Sequence, residues 1–325
     1  MTGPLDSFGR NINYLRISVT DRCNLRCIYC MPLEGVPQIS HSEILSYEEI
    51  RAVVRAAAEL GIYKIRLTGG EPLVRADLPE LIKMISQVEG IEELSLTTNG
   101  TFLKKYALEL KQAGLSRVNV SLDTLKPDKF RYITRLGELK TVLEGIEAAK
   151  EAGFEPVKTN TVIMRGINDD EVLDFARMTY EDGWHVRFIE LMPFKGVAEF
   201  VPSIELQQHI SLLGKLEPCA SITGNGPAIY YRLAGARGTI GFINPLTEHS
   251  FCSRCNRMRL TSDGKLRPCL LGEDEIDLKM PLRNNASMDE LKSLILKAVA
   301  SKQEHHHLEG GNVRPVNRKM SQIGG

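Results

Sequence analysis

Apolar and polar positions alternate along the first two thirds of the chain in segments that are typical of strands and helices in turn. The strand-like segments read NYLRISVT, YKIRLTGG, EELSLTTNG, RVNVSLD, PVKTNTVI and HVRFIEL. Helical periodicity lies between them at residues 46–60, 76–88, 102–113, 139–152 and 170–181, and a sixth helix is predicted near 203–213. Ser46 and Glu49 have the spacing of a capping box at the start of the first helix.

Six strand–helix units in succession predict a parallel α/β sheet with its helices outside. Because crossovers are right-handed, the sheet curls one way, yet six units are too few to close an eight-stranded barrel. We therefore expect an open partial (β/α)6 barrel of the TIM type. After about residue 216 the pattern changes to short strands at 230–233 and 239–243, a hairpin turning at Asp263-Gly264 and a helix at 288–300. These predict two regions, 1–215 and 216–325, the second an α+β extension over the barrel mouth.

Charge and composition exclude several classes of function. The 325 residues carry 41 Lys and Arg against 41 Asp and Glu, with no basic run, which argues against a nucleic-acid-binding protein. Residues 1–10 lack the basic and apolar regions of a signal peptide, and no apolar run approaches the roughly 18 residues that span a membrane. We therefore expect a cytoplasmic protein whose cysteines stay reduced, so clustered cysteines indicate metal or redox ligands.

Polar residues interrupt strands that should be almost wholly apolar in a covered parallel sheet. They are Arg16, Arg66, Asn119, Lys158, Asn160 and Arg187. Any one of the cations could simply pair with an acidic residue at the barrel mouth. The set as a whole favours a polyanionic ligand such as a polyphosphate, because several buried cations need a counter-ion. The carboxyl-terminal mouth of such a barrel is where active sites lie.

Six of the seven cysteines fall into two sets of three. The first, in DRCNLRCIYCMP, has the spacing C-x3-C-x2-C, and the second has the spacing C-x2-C-x13-C. The first set is Cys23, Cys27 and Cys30, and the second is Cys252, Cys255 and Cys269. A structural zinc site needs a fourth ligand, for which His249 is near the second set but only His41 is near the first. A cubane iron–sulfur cluster explains three cysteines better, because a missing thiolate leaves one iron open to a substrate.

Three other features of the sequence bear on the site: a Gly-Gly strand end, the seventh cysteine and a histidine run. The second strand ends in Thr68-Gly69-Gly70-Glu71-Pro72, beside the predicted position of the first set, and two glycines allow backbone to approach a ligand closely. Cys219 is predicted to be a core thiol, with a spare metal ligand as the alternative. The run at 305–307 (HHH) is predicted to be a solvated stretch rather than a metal site.

The motif CNLRCIYC, followed by a strand ending in GGEP, resembles the radical S-adenosylmethionine (SAM) superfamily. Arg257-Met258-Arg259 inside the second cysteine set and the terminal Gly324-Gly325 narrow the resemblance to members that cyclise GTP. It implies that the first cysteine set holds a [4Fe–4S] cluster whose open iron is chelated by SAM. The second set would hold another [4Fe–4S] cluster, whose open iron meets guanine.

The resemblance also assigns individual residues. Those that would contact SAM are Tyr29, Gly70, Ser121 and Met192. Those that would bind GTP are Arg16, Arg66, Thr97, Lys158, Arg257, Met258 and Arg259. Catalytic roles would fall to Arg257, Arg259, Gly324 and Gly325, with the C-terminal tail entering the barrel.

The activity that the resemblance implies is a lyase reaction, the radical conversion of GTP to (8S)-3′,8-cyclo-7,8-dihydroguanosine 5′-triphosphate. This is the first step of molybdenum cofactor (molybdopterin) biosynthesis. A one-electron donor would drive cleavage of SAM to a deoxyadenosyl radical, which removes the hydrogen from ribose C3′. The resemblance further implies a homodimer that passes its product to cyclic pyranopterin monophosphate synthase.

Two alternatives stay open at this point. Another radical SAM enzyme with an auxiliary cluster, such as a peptide-maturing enzyme, usually carries more C-terminal cysteines and a peptide-binding N-terminal domain, and this sequence has neither. A zinc-stabilised binding protein without catalysis would be colourless. Two four-iron clusters would instead give a brown protein with about eight irons.

Overall fold

The computed structural model describes residues 3–37, 39–192, 199–224, 226–306 and 318–324. Its strands are β1 (Tyr14–Ser18), β2 (Lys64–Thr68), β3 (Glu93–Thr98), β4 (Arg117–Ser121), β5 (Lys158–Ile163), β6 (His185–Glu190), β7 (Leu216–Cys219), β8 (Ile229–Leu233), β9 (Thr239–Ile243), β10 (Arg257–Leu260), β11 (Lys265–Arg267) and β12 (Ile276–Asp277). Its helices are α1 (Tyr47–Glu59), α2 (Leu78–Ser86), α3 (Leu103–Gln112), α4 (Pro127–Thr134), α5 (Leu139–Glu151), α6 (Val172–Glu181), α7 (Ser203–Ile210), α8 (Lys279–Arg283), α9 (Met288–Ala300) and α10 (Met320–Ile323). None of the helices in these parts of the chain has the length and apolarity that crossing a bilayer requires.

The strands form one sheet in the order β12-β11-β10-β1-β2-β3-β4-β5-β6-β9-β8-β7. Strands β1 to β6 run parallel in sequence order and do not close on themselves, which confirms the open partial barrel. The later strands extend both edges, since β10 lies parallel to β1 and β9 lies parallel to β6. The sheet is thus continuous across the predicted boundary at 215/216, and that boundary stays a prediction.

Local sequence signals account for several elements. Helix α1 begins with the predicted capping box, in which the Glu49 amide donates to Ser46 Oγ at 3.1 Å and the Ser46 amide donates to Glu49 Oε2 at 2.7 Å. Such a cap satisfies two amide donors that the first turn leaves without helical partners. The hairpin at Asp263-Gly264 is also confirmed, with Arg259 opposite Arg267 across β10 and β11.

The two faces of the inner strands differ in chemistry because successive side chains of a strand point to opposite sides. On β1, Leu15 and Ile17 are buried in the apolar core with the helices, whereas Arg16 lines the concave face. On β2, Ile65 lies in the core and Arg66 lines the concave face. The apolar core therefore sits outside the barrel, and polar residues fill its inside.

Candidate active site

The two cysteine sets, more than 200 positions apart in the chain, line one cavity on the concave face of the sheet. The cavity measures about 320 Å³, within the size of small-molecule sites. All six thiols of the sets contribute to its wall, as Cys23, Cys27, Cys30, Cys252, Cys255 and Cys269. Cys219, on β7, is not part of the wall.

The loop that carries the first cysteine set docks on helix α4. The amides of Arg26 and Ile28 donate to the carbonyls of Thr134 and Ile133 at 3.0 and 2.9 Å. These two backbone hydrogen bonds fix the loop against the end of a helix that sequence reasoning missed. Helix α4 therefore sets the position of Cys27 relative to the cavity.

Gly69 and Gly70 bring the end of β2 against the same cysteine loop. A Cβ atom on Gly69 would lie 2.4 Å from the carbonyl oxygen of Thr20, and one on Gly70 would lie 2.3 Å from that of Arg22. The Gly70 amide donates to the Thr20 carbonyl at 2.8 Å. The sequence predicted that these glycines admit a ligand; their close approach in the structure is to backbone, although Gly70 also lines the cavity.

Tyr29 and Asp123 form a buried pair beside the first cysteine set. The Tyr29 hydroxyl donates to Asp123 Oδ2 at 2.7 Å, and the Val162 amide donates to Asp123 Oδ1 at 2.9 Å. Burial raises the pKa of Asp123 to about 6, although both hydrogen bonds act to lower it. Sequence reasoning selected Tyr29 but not Asp123, for which the one signal is its place just after the end of β4.

Glu71 is a second buried carboxyl group that sequence reasoning missed. It accepts hydrogen bonds from the Thr98 hydroxyl at 2.7 Å and from the amides of Asn99 and Leu73 at 2.6 and 3.0 Å. Burial raises its pKa to about 7 despite these bonds. Glu71 thereby ties the Gly-Gly turn to the end of β3.

The second cysteine set is built around the hairpin of β10 and β11. The Cys255 amide donates to the Cys252 carbonyl at 3.0 Å in the turn before β10. Lys302, only 3% exposed, braces the hairpin by donating to the carbonyls of Arg257 at 3.0 Å and Pro268 at 2.6 Å. Burial alone would raise the pKa of Cys255, but Arg257 and Lys302 outweigh it and hold the pKa at about 6. This environment favours the thiolate, which is the form that binds a metal.

Both sets fit an iron–sulfur cluster in the chemistry of their donors. Within the described residues, no three His, Cys, Asp or Glu side chains are placed to share one metal ion. A four-iron cubane instead takes each thiolate on a different iron, so its ligands need not converge on one point. Burial raises the pKa of Cys23 to about 11, yet coordination by a metal deprotonates a thiol outright.

The histidines occupy places that the sequence did not predict. His249, the possible zinc ligand, is exposed and does not line the cavity. His306, predicted to be solvated, lines the cavity and donates from Nε2 to the Pro245 carbonyl at 2.6 Å. The neighbouring Cys252 thiol raises the pKa of His306. His307 lies outside the described residues.

A row of arginines crosses the sheet between the two cysteine sets. Strand register places Arg259 on β10 beside Arg16 on β1, and Arg16 beside Arg66 on β2. Cations lining the cavity are Arg16, Arg66, Arg187, Arg257, Arg259 and Lys302, against the carboxylates of Asp123 and Glu190. Among the described residues of this wall, six cations stand against two carboxylates, so the strand polarity noted in the sequence does converge on one site.

The cluster of cations shifts the pKa values of neighbouring groups. Burial would raise the pKa of Tyr14, but Arg66 and Arg16 outweigh it and lower the pKa to about 8. Burial lowers the pKa of Arg16 to about 10, and the nearby Arg66 adds to this. Like charges held close together disfavour the protonated forms, so an anion in the cavity would stabilise the protonated form of each of them.

Thr97 and Met258 were both predicted to bind GTP, and the structure places their side chains differently. Thr97 lines the cavity and accepts a hydrogen bond from Arg66 at 3.2 Å. Met258 does not: it is 1% exposed and packs in the apolar core, because strand alternation turns it away from the face that Arg257 and Arg259 share. Its side chain therefore lies away from the cavity, and the predicted part of Met258 in GTP binding stays a prediction.

Lys158 lies just behind the cavity wall. Its ammonium group donates to the Thr223 carbonyl at 3.0 Å and the Tyr230 hydroxyl at 3.3 Å, and the residue is 1% exposed. Burial, with Arg187, Arg117 and Arg66 nearby, lowers its pKa to about 7. At pH 8 most Lys158 side chains are therefore neutral amines before an anion binds.

We expect the binding of a triphosphate to take up protons at pH 8 through Lys158. An anion near these cations raises the pKa of Lys158 back toward its ordinary value, so affinity falls as the pH rises from 7 through that raised value and is level below 7. Calorimetry with GTP in two buffers of different ionisation enthalpy measures the uptake. Lys158→Gln should reduce it and Lys104→Gln, at an exposed ion pair, should not. Equal uptake in all three proteins would contradict this assignment.

The C-terminal tail reaches the same row of arginines. Arg259 donates from Nη1 to the Gly324 carbonyl. Gly324 has a φ of 84°, and a Cβ there would lie 2.8 Å from Thr68 Cγ2 and 3.1 Å from Ser18 Cβ, at the carboxyl ends of β2 and β1. The tail thus enters the barrel as far as it is described; Gly325 lies outside the described residues.

Two family models match the chain. The Radical SAM superfamily model matches residues 17–179, and the Molybdenum Cofactor Synthesis C model matches residues 184–308. The first stretch holds the first cysteine set and the second stretch holds the second. Each half of the site therefore falls within its own family region.

The chain is also similar to known proteins over nearly its whole length. It is 55% identical to a GTP 3′,8-cyclase of Moorella thermoacetica, over 98% of this chain and 99% of that protein. It is likewise 55% identical to a GTP 3′,8-cyclase of Pelotomaculum thermopropionicum, with the same two coverages. The GTP 3′,8-cyclase of Desulforamulus reducens is 54% identical over 99% of this chain and 100% of that protein.

Solved structures share the fold at low identity. Streptococcus suis SuiB bound to S-adenosylmethionine superposes with a TM-score of 0.61 at 14% identity, over 86% of this chain and 68% of that one. Native anSMEcpe with bound AdoMet gives a TM-score of 0.59 at 15% identity, over 90% of this chain and 81% of that one. At this identity the likeness shows the fold alone.

Proposed function

The chain belongs to the GTP 3′,8-cyclase family of the radical SAM superfamily, and we propose that it converts GTP to (8S)-3′,8-cyclo-7,8-dihydroguanosine 5′-triphosphate. We place this lyase reaction at the first step of molybdenum cofactor biosynthesis. The observation that carries the proposal is that both cysteine sets and the arginine row line one cavity. Identity of 54–55% to GTP 3′,8-cyclases over nearly the whole chain disfavours both a peptide-maturing enzyme and a zinc-binding module.

The enzyme uses SAM and two [4Fe–4S] clusters. Cys23, Cys27 and Cys30 would hold the first cluster, and Cys252, Cys255 and Cys269 the second. The chemistry that the first cluster supplies with SAM, when both are bound, is a carbon radical able to remove a hydrogen atom from a ribose. The protein supplies position and the exclusion of water.

The arginine row would bind the triphosphate of GTP. A triphosphate carries about four negative charges at neutral pH, and bidentate guanidinium contacts match phosphate oxygens in geometry. Six cations against two carboxylates among the described wall residues give the cavity the sign of charge that binds a phosphate chain. Arg16, Arg66 and Arg259 would contact phosphate oxygens directly, and Lys158 would act from behind them.

The SAM side of the cavity would be formed by Tyr29, Gly70, Ser121 and Met192, all of which line it. The hydrogen bond to Asp123 fixes the Tyr29 ring beside the first cysteine set. The tight turn at Gly70 keeps the end of β2 close to the cysteine loop, leaving backbone rather than side chains next to SAM.

The tail would complete the substrate side. Gly324 contacts Arg259 at the ends of β1 and β2, where a side chain would collide with Ser18 and Thr68. We propose that Arg257, Arg259 and Gly324 act there on the reacting nucleotide; a catalytic role for Gly325, outside the described residues, stays a prediction. A homodimer, a one-electron donor and product transfer to cyclic pyranopterin monophosphate synthase stay predictions, as does a cytoplasmic location.

An anaerobic incubation with dithionite, SAM and GTP tests the proposal. We expect 5′-deoxyadenosine and a product with the mass of GTP, which is distinguished from GTP by its 3′,8 bond. Purified protein should be brown, with about eight irons per chain. Deoxyadenosine without an isomer of GTP, or a colourless protein with bound zinc, would contradict it.

A further inference from the structure

The segment 318–324 is attached at both of its ends to the hairpin of β10 and β11. At its start, Arg318 forms ion pairs with Asp263 in the hairpin turn and with Glu275 just before β12. At its end, the Gly324 carbonyl accepts from Arg259 on β10. We propose that Arg318 is a positioning residue, whose ion pairs with Asp263 and Glu275 hold the tail so that Gly324 reaches Arg259. The inference rests on the proposed function, in which Arg259 binds substrate.

The Arg318 guanidinium donates four hydrogen bonds to these two carboxylates. It contacts Asp263 in a bidentate manner, with Nη1–Oδ1 at 3.1 Å and Nη2–Oδ2 at 2.9 Å. It contacts Glu275 through Nε–Oε1 at 2.5 Å and Nη2–Oε2 at 2.9 Å. All three side chains are at most 22% exposed, so solvent screens these pairs less than ordinary surface pairs.

Among the described residues, the ion pairs of Arg318 and the local cap between Lys319 and Gln322 hold the start of the tail, and only the ion pairs tie it to the hairpin. Helix α10 has four residues, far fewer than an isolated helix needs to persist in water. Fixing each residue of the segment costs conformational entropy, which the buried Ser321 and Ile323 and the carbonyl bond at Gly324 offset toward its far end. The two carboxylates supply the second point of attachment.

The anchor and the active site share one hairpin. Glu275 also pairs with the buried Arg267 on β11, and Arg267 lies opposite Arg259 in the antiparallel register. Cys269 of the second cysteine set follows β11 directly. Attachment of Arg318 therefore aligns the tail with the same strands that present Arg259 and Cys269, rather than with a remote part of the fold.

Arg318→Met tests the proposal in the cluster-loaded, full-length enzyme. Hydrogen exchange of the C-terminal peptide should become about tenfold faster. The hydrogen bond from the Gly324 amide to the Met320 carbonyl would open more often once the start of the segment is no longer held. Cyclised product per deoxyadenosine should fall about fivefold or more, while thermal melting is unchanged within a few degrees. Arg165→Met is the matched control, because Arg165 makes a bidentate pair with Glu205 outside the cavity.

Two further variants separate a positioning role from general damage. Asp263→Asn keeps the turn and weakens one pair, so it should shift exchange and product ratio in the same direction but less. Combined with Arg318→Met it should add almost nothing, as coupled residues are non-additive. Arg318→Lys should restore part of the product ratio.

Exchange and product ratio equal to those of Arg165→Met would overturn the proposal, as would full additivity of the double variant. A wild-type protein that forms no cyclised GTP would instead refute the proposed function. Tail exchange would still decide whether Arg318 anchors the segment.

Discussion

Replacing Cys27 with alanine is expected to reduce 5′-deoxyadenosine formation from SAM to the level without enzyme. One iron of the first cluster would lose its thiolate, and the loop docked on α4 offers no other thiol in its place among the described residues. The change is measured anaerobically with dithionite and SAM, following deoxyadenosine by chromatography. Iron content should fall by about half, since the second cysteine set is untouched.

Cys219→Ala is the matched control for this experiment. Cys219 is the one cysteine outside both sets, and it lies on β7 away from the cavity. Its replacement should leave iron content and deoxyadenosine formation unchanged. Normal deoxyadenosine formation by Cys27→Ala would remove the basis for the first site.

Replacing Cys255 with alanine is expected to separate the two halves of the reaction. Deoxyadenosine formation should persist in part, because the first cysteine set and its neighbours Tyr29 and Gly70 are unchanged. Cyclised GTP should fall by roughly 100-fold or more, because losing even an outer-shell partner of a metal ligand costs about 10- to 100-fold and Cys255 would itself be a ligand. Product mass analysis and deoxyadenosine measured in one sample give the ratio.

The charges around Cys255 also predict the effect of a second substitution, Cys255→Ser. Arg257 and Lys302 stabilise its thiolate, so serine at the same place, with a far less acidic hydroxyl, should be nearly as damaging as alanine. Cyclisation at the wild-type rate by Cys255→Ala would show that the second set does not hold the substrate site.

The sequence predicted the barrel and both cysteine sets because their signals are local. Period-two strands, helical periodicity and a capping box at Ser46 each depend on a few neighbouring residues. The arginine row could also be predicted from the sequence. A cation such as Arg66 is unusual within an apolar strand, whichever strands are its neighbours in the sheet. What the sequence could not supply was the register that sets Arg259 beside Arg16.

The rest depends on contacts between distant segments. Helix α4 is short, and its importance lies in backbone bonds to the cysteine loop, which no periodicity reveals. Asp123 and Glu71 are ordinary acids in sequence, and their raised pKa values come from burial by other elements. Met258 was assigned with its arginine neighbours as a unit, but strand alternation places it on the opposite face.

The edges of the sheet have a consequence for how the protein is made. Strand β1 pairs with β10 and β6 pairs with β9, so both flanks of the early strands are capped by residues that leave the ribosome much later. Until then each flank offers unsatisfied backbone donors and acceptors, the template on which chains aggregate. A nascent chain of this enzyme is thus exposed to misassociation until its last third has emerged, and shielding by a chaperone would matter most during that interval.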